Sequence, residues 1–261
     1  MQYLEDKFLE GKGAVITGGA SGFGRGAAYA LAEKGADLIL VDINEQLLEE
    51  TAKKVEQETG KKVVPIVCDV SKSDQVKAMA KQSFEELDNV YILFNNAGIA
   101  DYSLKDITKV KEEKWDRVMD VNLKGQWLVA NSLLKKMRKQ PFEPLAGKII
   151  CTSSQGSKLL SSILPTYCIS KVGVNAMAKL FAKALAPKIT VNTILPGVHT
   201  TGIYLNSEDL IKTMLKAGNT KIPLGRIGTV KDVTNVLMFL ASPASDYITG
   251  QEFLVTGGMA I

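Results

Sequence analysis

The sequence predicts a single α/β domain over residues 1–261, built on a doubly wound parallel sheet of about seven strands with helices on both faces. Three observations predict it. Short β-branched runs alternate with longer helical stretches almost from end to end, which is the βα rhythm. The strand runs are mostly continuous in apolar residues, as strands covered on both faces require. No internal repeat, low-complexity tract or Pro/Gly-rich linker interrupts the alternation.

The elements follow in order. Strand runs lie at 13–17 (GAVIT), 37–41, 63–68, 90–95, 148–152, 190–195 and 252–255. Helical patterns fill the gaps at 22–34, 44–59, 73–87, 111–139, 165–186, 207–217 and 229–241. The first helix is rich in Ala and Leu and follows a glycine-rich turn; the one at 165 opens on Pro165, which suits a first turn. Right-handed crossovers between such strands put helices on both sides of the sheet. Ligands of these sheets bind beyond the carboxyl ends of the strands, so function is to be sought just after each strand.

Composition narrows the classes of function. With 32 Lys+Arg against 28 Asp+Glu, 46% hydrophobic and 23% charged residues, the chain is an ordinary globular protein, neither disordered nor fibrous. A net charge of +4, spread along the chain, gives no field suited to nucleic acid or an anionic membrane. The basic run Lys135-Lys136-Met137-Arg138-Lys139 reads as a solvated helix end, where cations offset the dipole. No apolar run approaches the roughly 18 residues of a membrane span, and the charged start MQYLEDKFLEGK does not resemble a signal peptide, so a cytoplasmic location is expected. Three scattered cysteines, Cys68, Cys151 and Cys168, suit a reducing compartment better than a disulfide framework. The one histidine, His199, removes most metal and triad chemistry; it reads as a polar loop residue without a role, and no metal site is expected.

After the first strand comes Thr17-Gly18-Gly19-Ala20-Ser21-Gly22-Phe23-Gly24. Glycine lets the backbone turn sharply and approach a diphosphate, while the helix that follows offers free N–H donors and a positive dipole end. The second strand runs into Asp42, eighteen residues after Gly24, where a carboxylate can accept hydrogen bonds from ribose hydroxyls. Neither Ser21 nor Ile43 is basic, so a 2′-phosphate would meet Asp42 uncompensated, and NAD is expected over NADP. Position alone also allows Asp42 to be a residue that caps the next helix.

Tyr167 and Lys171 lie four apart in a predicted helix, hence on one face about 5–6 Å from each other. At about 5 Å and an effective dielectric of 20 the ammonium favours a phenolate by roughly 3 kcal/mol, which brings a phenol pKa near 10 down by about two. Tyr167 could then take the proton of an alcohol as its hydride leaves, or protonate a ketone in reverse. In isolation such a pair is more often two surface residues sharing a face, so other residues must decide.

Thr17-Gly-x-x-x-Gly22-x-Gly24, Asn95-Asn96-Ala97-Gly98 and Tyr167-x-x-x-Lys171, in this order, resemble the motifs of the short-chain dehydrogenase/reductase family, and the match spans nearly all of the chain. Ser154, thirteen residues before Tyr167, matches the family's catalytic serine; Asn122 in Val121-Asn122-Leu123-Lys124-Gly125 matches its helix asparagine; Pro196-Gly197 matches its nicotinamide-side loop. The resemblance implies a Rossmann-type fold. It implies catalytic roles for four residues: Tyr167 as acid/base, Lys171 lowering its pKa and holding the nicotinamide ribose, Ser154 orienting the substrate oxygen, and Asn122 supporting a proton-relay water. It also implies Asp69 and Val70 against adenine, Asn95, Ala97 and Gly98 along the adenosine ribose, and Val198 and Thr201 near the carboxamide. With Gly18, Ser21, Gly22, Phe23, Gly24, Asp42 and Ile43 these complete the expected cofactor contacts. A homo-oligomer, tetramer or dimer, follows from the same likeness. The chain departs from the family in a slightly extended loop at 140–146 and in Thr256 before Gly257-Gly258, where the family often has an acid.

Other chemistries fare worse. A serine hydrolase lacks its Gly-x-Ser-x-Gly elbow, since residue 152 is Thr, and Cys168 reads as a small buried residue. The expectation is therefore an NAD-dependent oxidoreductase interconverting a small-molecule secondary alcohol and a ketone. The segments 99–104, 158–164 and 203–215, rich in Leu, Ile and Tyr, suggest an apolar or bulky substrate such as a hydroxyacyl, steroid-like or aromatic compound. The alternatives are an NADP-dependent ketoreductase such as a 3-oxoacyl reductase, a lyase, dehalogenase or epimerase on the same scaffold, and a noncatalytic NAD-binding subunit.

Overall fold

The computed structural model describes residues 7–101, 106–141, 143–200 and 222–260. The expected helix at 207–217 and the contact Thr201 lie outside them. Seven strands form one parallel sheet: β1 (Gly13–Thr17), β2 (Asp37–Asp42), β3 (Val63–Val67), β4 (Ile92–Asn95), β5 (Gly147–Thr152), β6 (Ile189–Pro196) and β7 (Glu252–Val255). Their order is β3-β2-β1-β4-β5-β6-β7. The chain builds outward from β1 to β3, then crosses back to place β4 on the other side of β1, and the carboxyl ends of β1 and β4 therefore flank a crevice.

Alternation along each buried strand divides the core between the two faces. In β1, Ala14 and Ile16 join one apolar cluster and Val15 the other. The first cluster is closed by α1 (Gly22–Glu33), α2 (Glu45–Thr59) and α7 (Val230–Ala241), through Leu31, Leu48 and Leu237. The second is closed by α3 (Ser73–Glu86), α5 (Gln126–Met137) and α6 (Pro165–Leu185), through Met79, Leu133 and Val174. Each such side chain, taken fully from water, contributes about 1.5–3 kcal/mol. Local chemistry sets the helix ends. Asn44 accepts from the Leu47 N–H, Gly60 closes α2 at a φ of 69°, and Thr229 and Asp232 form a reciprocal cap at the start of α7.

One expected element is three. The stretch 111–139 holds α4 (Glu112–Met119), a π-helical segment Asp120–Gly125, and α5. Periodicity does not reveal such a change, because apolar spacing barely moves over one wider turn; π turns of this kind concentrate at functional sites. The loop at 140–146 is pinned by Gln140, whose side chain bonds both Val90 N–H and Val90 C=O and also donates to the Ala146 carbonyl. Cys68, Cys151 and Cys168 are buried and unbridged.

At the far edge of β5 from the crevice, Lys148 is 1% exposed. Its ammonium donates to the Ser242 carbonyl and Ser245 hydroxyl and pairs with Asp246 at 2.6 Å. Removing one partner of a buried pair leaves the other charge and its acceptors stranded. Asp246→Asn, which leaves the buried Lys148 ammonium without its counter-ion, is expected to cost about 3–5 kcal/mol, read as a lower urea midpoint, and Lys148→Ala less on that account, since the Asp246 it leaves keeps contact with water.

Candidate active site

The turn after β1 is held by contacts that glycine alone permits. Gly18 has a φ of 68°, and a Cβ there would stand 2.9 Å from Asn96 Nδ2; a Cβ on Gly24 would stand 1.9 Å from the Gly18 carbonyl oxygen. Gly24 is thus buried beneath the turn, where it brings α1 against it. Thr17 sits at the hub. Its buried hydroxyl accepts from the Asn96 and Ala97 N–H groups and lies 3.4 Å from Asn95 Oδ1, which locks the ends of β1 and β4 together.

Asp42 closes β2 with both oxygens in use: Oδ2 accepts from the Ala20 N–H at 3.1 Å and Oδ1 from the Asn44 N–H at 3.1 Å. The cap of α2 is Asn44 and not Asp42, whose carboxylate holds the Asn44 N–H and braces the glycine turn. Each oxygen retains a further lone pair for another donor.

Lys171 lies in the second turn of α6, 2% exposed. Its Nζ donates to the Thr152 carbonyl at 2.8 Å and stands 5.6 Å from the centre of the Tyr167 ring, which matches the helical spacing. Burial among apolar groups pushes the ammonium down to about 8, an effect that spacing along a sequence does not disclose. Cys151 behind it is driven up to about 12 by the same burial. Ser154, at the end of β5, is buried, and its Oγ accepts from the Gly156 N–H at 3.0 Å.

Asn122 lies in the π-helical segment, fully buried. Its Oδ1 accepts from the Ile99 N–H at 2.8 Å, and its Nδ2 donates to the Ile99 carbonyl at 2.9 Å and to Ser170 Oγ at 3.1 Å. The amide so ties the chain after β4 to α6. A Cβ on Gly98 would meet Asn122 Oδ1 at 3.3 Å and Lys171 Nζ at 3.4 Å, so a side chain here would crowd both groups.

Fifteen of the expected residues border one cleft of about 1060 Å³: Gly18, Ser21, Gly22 and Phe23 from the turn; Asp42, Ile43, Asp69 and Val70 from β2 and β3; Ala97 and Gly98 after β4; Ser154, Tyr167, Lys171, Pro196 and Gly197 at the other end. Four do not. Gly24 and Asn122 lie behind the wall, and Val198 holds Gly228 through its carbonyl. Asn95 is 1% exposed, its amide donating to the Gln126 carbonyl at 2.7 Å, and it is Asn96 that borders the cleft. Sequence reasoning missed the supports: Thr17 and Asn96 stood in quoted motifs without a role, and Gln126, which donates to the Thr152 carbonyl, left no signal. His199 departs most from expectation. It is 3% exposed, not a polar loop residue at the surface, and its ring meets Phe23 edge-on at 5.3 Å beside the cleft.

The residues present fit a dinucleotide: a glycine cradle that any Cβ would obstruct at one wall, a buried ammonium and a tyrosine at the other. No cluster of three or more His, Cys, Asp or Glu able to hold a metal occurs among the described residues, and no described helix is long and apolar enough to cross a membrane.

Comparison with known proteins agrees with this geometry. A family model described as enoyl-(acyl carrier protein) reductase matches residues 18–260. The chain is 37% identical over 254 residues to a 3-oxoacyl-[acyl-carrier-protein] reductase of Thermotoga maritima, covering 97% of this chain and 99% of that protein. It is 35% identical to an (S)-acetoin-forming diacetyl reductase of Staphylococcus epidermidis, covering 95% and 98%. Among solved structures, a Brucella melitensis 3-ketoacyl-(acyl-carrier-protein) reductase complexed with NADH superposes with a TM-score of 0.87 at 30% identity, covering 97% of this chain and all of that one. The family model and these likenesses run over almost the whole length: the chain belongs to the short-chain dehydrogenase/reductase family, oxidoreductases of CH–OH and keto groups.

Proposed function

We propose that the protein is an NAD-dependent oxidoreductase that interconverts a secondary alcohol and a ketone, with an apolar or bulky substrate. The observation that carries this is the convergence of Ser154, Tyr167 and Lys171 on one end of the cleft whose other end is bordered by Asp42. A bound nicotinamide supplies the hydride acceptor or donor. Tyr167 moves the proton of the substrate oxygen, and the Lys171 ammonium, 5.6 Å from its ring, favours the phenolate. Lys171 also has donors left for a ribose, since one carbonyl takes only one of its three N–H bonds. Ser154 Oγ can donate to the substrate oxygen while it accepts from Gly156. Asn122, its amide committed to Ile99 and Ser170, acts by holding the floor on which Gly98 and Tyr167 stand.

NAD is supported by Asp42, whose charge opposes a 2′-phosphate with no base at positions 21 or 43. The apolar substrate is supported by Leu159, Leu160 and Ile163, exposed on the segment between Ser154 and Tyr167, and by Ile99 and Ala100 on the cleft wall; segment 203–215 lies outside the described residues. The reading includes one domain over 1–261, a cytoplasmic location and a homo-oligomer, dimer or tetramer. A second reading, an NADP-dependent 3-oxoacyl reductase, is favoured by the names of several relatives and by Lys72, a cation that borders the same cleft. Following absorbance of the reduced nicotinamide with NADH and NADPH against 3-oxoacyl thioesters, diketones, bulky apolar ketones and keto sugars separates the two; preference for the sugars would remove the apolar substrate.

Three outcomes are expected. Tyr167→Phe loses turnover by at least about a thousandfold with dinucleotide affinity within a few fold of wild type by calorimetry; substantial residual activity would reject the proton role. Asp42→Arg moves the ratio of kcat/KM values towards NADPH by about tenfold or more, from a wild type that prefers NADH. Lys171→Met is inactive, yet its cofactor-free form gains up to about 3 kcal/mol at neutral pH, because a lysine held near 8 in the fold and near 10.5 when unfolded is a destabilising charge. The unfolded chain binds more protons between those values, so wild-type stability rises with pH there and the gap to the variant closes from pH 8 to 10.5, as denaturant melts would record.

A further inference from the structure

Glu252 opens β7, the edge strand of the sheet, and the function proposed above gives its charge no task. Phe253 and Val255 pack into the cluster closed by α7, so alternation turns Glu252 to the opposite face, towards α6. Its side chain is 11% exposed. There it meets Asn175 and Lys179, one and two turns after Lys171 along the same stripe of α6, and Lys158 from the segment that follows Ser154. Burial works against the charge, but the bonds from Lys158 and Lys179 outweigh it and hold the carboxyl below the usual carboxylate range, so it is an anion at neutral pH.

The anion sets a direction. A carboxylate accepts and cannot donate, so it admits Asn175 Nδ2, at 3.1 Å, and repels Oδ1. Asn175 Oδ1 is buried without a partner, and a hydroxyl can serve an amide either way round, so among the described residues Glu252 is what fixes the sense of this amide. Nδ2 then also donates to Ser157 Oγ at 2.9 Å, and the Ser157 hydroxyl directs its own proton to the Ser154 carbonyl at 2.7 Å. With the amide reversed, Oδ1 would take that proton and the Ser154 carbonyl would lose it. Ser154 leads into the tight turn Gln155–Ser157, which is closed as well by the Gly156 N–H on Ser154 Oγ at 3.0 Å. A Cβ on Gly156 would meet Ser154 Oγ at 3.4 Å and Tyr167 Cε1 at 3.8 Å. The turn therefore lies against both side chains that handle the substrate oxygen.

We propose that Glu252 is a positioning residue for the reaction: through Asn175 and Ser157 it holds the turn after β5 in the shape that presents the Ser154 hydroxyl to the substrate oxygen. The inference rests on the oxidoreductase reading above, and it concerns the end of the cleft away from the glycine turn. Its loss therefore falls on turnover and not on the hold of the dinucleotide.

The test is steady-state kinetics of the full chain on whichever ketone of the panel above wild type reduces fastest, with its preferred nicotinamide. Glu252→Leu, which leaves the amide undirected, is expected to lower kcat about tenfold, with the dinucleotide KM within about twofold of wild type. Glu252→Gln, whose own carbonyl can still accept from Asn175, should recover most of that loss. Ser157→Ala should match Glu252→Leu, and the double variant should lose no more than Ser157→Ala alone, because the effect passes through that hydroxyl; independent effects would multiply. Lys179→Met, which removes a cation from Glu252 but not the bond to Asn175, should keep kcat at the wild-type level. A carboxylate that merely pinned the edge strand would make Gln as poor as Leu and would give losses that multiply. Should Glu252→Leu fail to fold, Asn175→Leu takes its place in the same cycle. A Leu variant with wild-type kcat, or multiplying losses in the double variant, overturns this proposal alone. A wild type that reduces no ketone of the panel with either nucleotide removes the reading beneath it as well.

Discussion

The site depends on keeping one ammonium charged in a place that disfavours charge. Lys171 is buried against the end of β5 with a single backbone carbonyl as its acceptor, and burial draws it down to about 8. Near neutral pH it remains largely protonated, so the cation stays available to Tyr167 one helical turn earlier. A more exposed lysine would hold its proton more firmly but act on the phenol through water, where Coulombic effects are several times weaker.

Holding that charge takes several elements at once. Thr152 offers its carbonyl to both Lys171 and Gln126; Gln126 offers its own carbonyl to Asn95, and Asn95 faces the Thr17 hydroxyl. Thr17 in turn fixes Asn96 and Ala97. A buried polar chain thus runs from the active end of α6 to the glycine turn across the crevice between β1 and β4. Its middle members, Thr152, Gln126 and Thr17, are residues that a site inventory would pass over, yet they link the cofactor turn to the Tyr-Lys pair. The π-helical segment extends the same support, since its wider turn carries Asn122 to Ile99 and Ser170.

Much of this was legible in advance. All seven strands fall within two residues of their expected limits; the central ones are covered on both faces and so read as largely apolar runs that stand out from the helices between them. The glycine turn, Asp42, Ser154, Tyr167 and Lys171 were legible for a different reason: each is a residue type whose chemistry is tied to a fixed offset from a strand end or along one helix face. The π segment was not, nor was Asn95 as a support in place of a lining residue. Adjacent asparagines look alike in a sequence; only the fold shows that Asn95, the last residue of β4, is buried and that Asn96, just past the strand end, borders the cleft.

His199 marks the same boundary most clearly. Composition made it solitary and its loop made it read as a polar surface residue, because burial and contact between residues 23, 199 and 228 are products of the completed sheet. The sequence by itself determined the periodicities, the turn that only glycine can make and the offset between Tyr167 and Lys171, all of which are local consequences of backbone geometry. Tertiary structure alone decided which polar groups lose water. That loss is what drew Lys171 and His199 down and took up Asn95 and Asn122 as supports, since desolvation depends on what packs around a group and not on its neighbours along the chain.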